Sequence, residues 1–232
     1  MRENNNFRFF TFPIVLMQGI FNEKNQCIDN FKYYAVNTKA MQLEKGTEKQ
    51  RIREAMEYYY IPTNNLKCDE YLQHGKILID SIPTGSPLTS IEKDVCEKYY
   101  SNEKTEFEIA QLTAFAAIKS ILGKKEYCKT NKELIIARMF GFNSVKELPE
   151  NTHILLKKYS NRYQIDKLLN ELQLYWGLKL FSDHCRGFYL SFNVPLEQLA
   201  KINIEAKKSV KLNDLKLRKK EALQAAKKEL NL

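Results

Sequence analysis

Apolar and polar positions along the chain recur mostly at helical spacing. Phe12–Asn22 reads as a first short helix. Asn25–Leu43 then places Cys27, Ile28, Phe31, Tyr34, Ala35, Thr38 and Met41 on one helical face, and Gly46 stops it. Thr47 and Gln50 stand at capping-box spacing and open a helix that runs to Tyr60, ahead of Pro62. Asn64 or Asn65 caps the next, which carries Leu66, Tyr71 and Leu72 towards Ile82. Pro83-Thr84-Gly85-Ser86-Pro87 is a loop, and a short helix from about Ser90 to Tyr100 follows. Residues 1–104 are therefore expected to form a helical bundle.

From Thr105 the texture changes. Phe107–Leu122 is strongly apolar and rich in alanine, which predicts a buried helix ended by Gly123. The acidic pair Glu106 and Glu108 at its start suits the positive end of the helix dipole. Glu126–Lys129 is a short extended piece. Thr130 and Glu133, again at capping-box spacing, open a helix over Asn131–Phe140. Farther on, Ser160 is expected to cap Asn161–Trp176, whose inward stripe is Ile165, Leu168, Leu169, Leu172 and Trp176. Leu178–Phe181 and Phe188–Phe192 alternate and predict a hairpin with the polar tip Ser182–Gly187.

Helix, short strand, helix, turn, helix, two-stranded hairpin is an order that resembles the winged helix-turn-helix family of transcription regulators and of plasmid and phage replication initiators. The resemblance spans residues 105–192 and concerns element order, without invariant chemistry. It implies that Asn131–Phe140 positions, that Asn161–Trp176 recognises, and that Leu178–Phe192 is the wing. A recognition helix reads base edges with its N-terminal residues, where Arg suits guanine and Asn or Gln suits adenine. Asn161, Arg162, Gln164, Lys167 and Asn170 are thus expected on one outward face. Lys129, Lys132 and Lys167 would meet phosphates, Lys179 is a further expected nucleic-acid contact, and His184 and Arg186 at the hairpin tip would enter an adjacent groove or touch phosphate. The family turn is usually three or four residues. Here residues 141–159 intervene, so either an extra short helix is inserted or one long helix runs from Thr152 to Trp176.

Charge sharpens this picture. Residues 1–104 carry 14 basic and 14 acidic side chains, residues 105–200 a net +3 and residues 201–232 a net +6, within a total of +9. A basic excess gathered in the C-terminal half points either to a polyanionic partner, nucleic acid or an anionic membrane surface, or to a solvated tail that only keeps the protein soluble. The tail from Lys201 fits phosphates, a homodimer arm or an anionic surface. Tyr58-Tyr59-Tyr60 and Tyr99-Tyr100 could stack bases, but without a local basic excess they read as packing residues.

Hydrophobic residues make up 44% of the chain, with 8 Gly and 6 Pro, which fits a mainly α fold. The predicted organisation is a helical domain (1–104), a winged-helix domain (105–192) and a basic helical tail (193–232). Five widely spaced cysteines read as reduced thiols of a cytoplasmic protein. The apolar run Phe9–Phe21 contains Pro13, Gln18 and Gly19 and reads as core rather than leader. No run is long enough for a membrane span. Neither phosphate-binding glycine motif is present, and three scattered histidines offer no metal set. The expectation is a non-catalytic protein without cofactor or small-molecule ligand, bound to double-stranded DNA; the alternative is a protein-interaction adaptor on the same scaffold.

Overall fold

The structure, a computed structural model, describes residues 8–148, 154–182 and 187–229. It is mainly helical, with two small antiparallel sheets. The first element among the described residues is strand β1 (Phe9–Pro13), where a helix was expected. Phe10 and Phe12 point into the core and Phe9 faces out, a two-residue alternation that only a strand satisfies. A single 3-10 turn, Ile14–Met17, is all the helix in this stretch.

Helices α1 (Lys24–Met41), α2 (Glu48–Tyr58) and α3 (Asn65–Ser81) follow the sequence pattern closely. Thr47 and Gln50 make the expected reciprocal capping box, and Asn64 caps α3 through the Lys67 amide. Gly75 lets α3 approach α1. A Cβ there would sit 1.7 Å from Asn37 Nδ2. That buried amide donates to the carbonyls of Tyr33 (2.9 Å) and Tyr71 (2.6 Å).

Strand β2 (Leu88–Glu92) precedes α4 (Lys93–Ser101), so the helix expected from Ser90 begins three residues later. β2 pairs with β1 in the register Phe10 to Ile91 and Phe12 to Thr89, and the Thr11 and Ser90 hydroxyls lie 2.8 Å apart across it. The N-terminal half is therefore helices around a β-ribbon rather than a bundle of helices alone.

Helix α5 (Glu106–Leu122) is a common wall. Ile109, Leu112 and Ala116 join the N-terminal core with Phe10, Phe12 and Phe31. Ala110, Ala114, Ala117 and Ile118 join a second core. Small alanine side chains on both faces allow close approach from both sides. The Thr89 hydroxyl donates to the Ala116 carbonyl at 2.7 Å inside this joint.

The second core is completed by β3 (Cys128–Thr130), α6 (Lys132–Met139), α7 (Ile154–Ser160), α8 (Arg162–Tyr175), β4 (Lys179–Phe181) and β5 (Phe188–Ser191). The predicted hairpin strands pair, and β3 adds outside β5 to give the order β3-β5-β4. Helix α9 (Leu196–Glu229) starts against this sheet, with Leu199 packed beside Tyr189 and Val194. Its described side chains from Lys208 to Glu221 are all exposed. Among the described residues, no helix is long and apolar enough to cross a membrane.

Candidate nucleic-acid interface

Helix α6 is capped by Asn131, whose Oδ1 accepts from the Leu134 amide at 2.8 Å. The expected Thr130–Glu133 box does not form, because Thr130 is buried as the last residue of β3, paired with Phe188. A capping box forms instead at α5, where Glu108 accepts from the Thr105 amide at 2.9 Å and Thr105 accepts from the Glu108 amide at 3.2 Å. Gly141 ends α6 in a left-handed turn (φ 80°) pressed against the 3-10 turn near the N-terminus. A Cβ there would meet Gln18 Cγ at 2.6 Å and its backbone nitrogen at 2.9 Å.

Of the two options for residues 141–159, the extra helix holds. α7 is separate and ends at Ser160, so Ser160 is not a cap. Asn161 breaks the helix with ψ 132° and caps α8 by accepting from the Tyr163 amide at 2.8 Å. α7 is pinned to α5: Glu106 accepts from Lys158 Nζ at 2.7 Å and from the Tyr159 hydroxyl at 3.2 Å. Burial first, then the Glu106 charge, pushes the Tyr159 hydroxyl above its ordinary pKa.

Ile165, Leu168, Leu169 and Leu172 are buried, as their spacing required, while Trp176 is half-buried and packs on Phe115 at 4.9 Å. The opposite face is open. Its centre holds Tyr163, Lys167, Asn170 and Leu174, at i, i+4, i+7 and i+11, all exposed. The same helical spacing that gives the buried stripe places these four together, so Tyr163 and Leu174 share the outward face with the polar residues expected there. Each is 71% exposed, and Tyr175 at the helix end is 77% exposed.

The expected site residues are not equivalent. Asn161 spends its side-chain oxygen on the cap. Arg162 and Gln164 are two positions apart, hence about 200° apart around α8, and occupy opposite shoulders. Arg162 is 91% exposed and its Nε lies 3.7 Å from Asp166. Asp166 also accepts a hydrogen bond from Lys132 Nζ, so one carboxylate stands between an expected phosphate contact and an expected base contact. Lys167 rests 4.9 Å from the Phe107 ring and Lys129 5.8 Å from the Tyr189 ring. Asn170 accepts from Gln173 at 3.3 Å. Lys179 is exposed on β4 opposite Ser191. His184 and Arg186 lie outside the described residues.

This face offers cations, amides and a tyrosine on a rigid support. Among the described residues no group of three His, Cys, Asp or Glu side chains is placed to hold a metal ion. Burial pushes the thiols of Cys27 and Cys128 up to about 11 and that of Cys96 to about 12, which keeps them protonated. Compared with known proteins, the chain matches no family model, no curated protein and no solved structure.

Proposed function

We propose that residues 105–192 form a winged helix-turn-helix and that the chain is a non-catalytic binder of double-stranded DNA. A regulatory or replication role on a mobile element fits this class. The observation that carries the reading is a leucine-seated helix, α8, with an uncovered outer face, followed in the chain by the paired strands β4 and β5. Lys167 and Asn170 lie at the centre of that face, and Lys129 and Lys179 stand on β3 and β4, the two outer strands of the sheet. The exposed lysines of α9 extend the same polarity, which suits a long phosphate backbone.

A fluorescent duplex of about 20 base pairs, two helical turns, tests this by anisotropy. If only Lys129, Lys167 and Lys179 neutralise phosphates, affinity falls about 40-fold between roughly 50 and 200 mM salt, and more if α9 takes part. Replacing the three by Gln flattens that dependence. Absence of binding at low salt, or unchanged affinity in the triple variant, overturns the reading.

The adaptor alternative draws on a specific feature: Tyr163, Leu174 and Tyr175 are apolar and exposed on α8, where an interface core would put them. It predicts a partner whose capture is lost in Tyr163→Ala/Leu174→Ala and kept in the lysine variant.

A further inference from the structure

Tyr58 and Tyr60 lie in a half of the chain with no net charge, yet the fold surrounds them with cations. Tyr58 ends α2 and is 44% exposed; Tyr60 follows it and is 68% exposed. The Arg8 guanidinium lies 3.6 Å from the centre of the Tyr60 ring and 4.7 Å from that of Tyr58. Lys39, from the last turn of α1, lies 4.7 Å from the Tyr58 ring, and Lys93, from the first turn of α4, lies 5.9 Å from the Tyr60 ring. The Lys93 amide donates to the Arg8 carbonyl at 2.8 Å, which ties two of the cations together. None of the three is in an ion pair among the described residues. Beside the Tyr58 ring runs a cleft of about 410 Å³ whose walls include Phe9, Lys39, Gln42 and Leu88, while Tyr60 lines a separate cleft with Asp29, Glu70 and Glu97.

Tyr60 also has a left-handed backbone, φ 52°, the only positive φ of a non-glycine among the described residues. A bulky residue is disfavoured there, whereas Gly or Asn adopts it freely. A purely structural turn has no need of a tyrosine at this position. The strained residue is the one that displays a ring to solvent with a guanidinium stacked on it.

We propose that this patch is a second nucleic-acid surface, specific for single strands. Unpaired bases stack on aromatic rings and on guanidinium planes, so the Tyr60–Arg8 stack and the Tyr58 ring offer successive platforms. Lys39, Lys93 and Arg8 supply the charge that tracks the backbone phosphates. The Gln42 amide, at the cleft wall, is placed to bond a base edge. Glu54, one turn before Tyr58 on α2 and exposed, bounds the patch on its acidic side. Duplex DNA hides its base faces and gains nothing from the rings. The inference stands independently of the role proposed for α8.

Full-length protein and fluorescent oligothymidine of about 15 nucleotides provide the test. Tyr60→Gly relieves the backbone and removes a ring; combined with Tyr58→Ala it is expected to stay folded and to lose single-strand affinity about tenfold per ring. Arg8→Gln/Lys93→Gln, which leaves both rings in place, is expected to lose affinity and salt dependence together. Iodouracil cross-linking should map to Tyr58 or Tyr60. Lys129→Gln/Lys167→Gln/Lys179→Gln should bind the oligonucleotide as wild type does. Unchanged affinity in both patch variants, or cross-links confined to residues 105–229, overturns the proposal. If single-strand binding follows the triple lysine variant instead, the patch is structural and the duplex reading stands untouched.

Discussion

Around α8, a segment with excess positive charge is partly neutralised by its own fold: Asp166 sits between Lys132 and Arg162. Around Tyr58 and Tyr60, a segment with no net charge gathers Arg8, Lys39 and Lys93 with no carboxylate paired to any of them among the described residues. The difference teaches that the charge of a stretch of sequence does not give the field at a surface. Ion pairs form with whatever the fold brings within about 4 Å, and exposed charges beyond roughly 10 Å are screened. Residue positions 8, 39 and 93 are remote in the chain and adjacent in space.

The largest effect is expected from unseating α8. Leu168 is fully buried in the second core. Leu168→Ala is expected to cost about 2–5 kcal/mol in thermal or denaturant unfolding. Because α5 walls both cores, the variant should still melt in a single transition, at lower temperature. Below that transition it should keep single-strand binding. Two separate transitions would show that the halves fold independently.

A smaller effect sharpens the same contrast. Asp166→Asn frees Lys132 and Arg162 and removes a negative charge from the α8 face. Duplex affinity should rise about three- to tenfold at low salt, with little change in stability, since exposed pairs contribute about 0–1 kcal/mol. Single-strand affinity should not move. Unchanged duplex affinity in anisotropy would place the phosphates away from this shoulder.

The smallest effect concerns the start of the shared helix. Glu108 is held at about 2 by the hydrogen bond from Lys104 first, then by the bonds from Thr105. A carboxyl depressed in the folded state adds stability that is complete above its unfolded pKa, about 4.3, and that fades as pH falls towards 2. Glu108→Gln preserves the capping geometry without the titration. Its melting temperature should therefore fall less steeply than that of wild type between about pH 4.5 and 2.

Much of the fold was legible in local pattern. The Thr47–Gln50 box, the Asn64 cap, the buried stripe of α8 and the two hairpin strands all depend on residues a few positions apart. Misreadings have a common cause. Thr130 is followed by a plausible box, yet pairing with β5 takes it into a sheet and leaves the cap to Asn131. Phe9–Pro13 offers too few alternations to separate strand from helix until β2 arrives from 75 residues or more away. On the outward face of α8 charge pattern marks Lys167 but not Tyr163 and Leu174, whose exposure depends on nothing else packing there.

Local pattern along the chain was enough to give the caps of α2 and α3, the faces that α1 and α8 bury and the half that is basic, because turn geometry and side-chain periodicity act over less than about a dozen residues. The tertiary structure alone decided that α5 serves two cores, that Asp166 quenches two cations, and that three distant cations surround two exposed tyrosines. Those outcomes depend on distances between elements, and such distances exist only after the chain has packed.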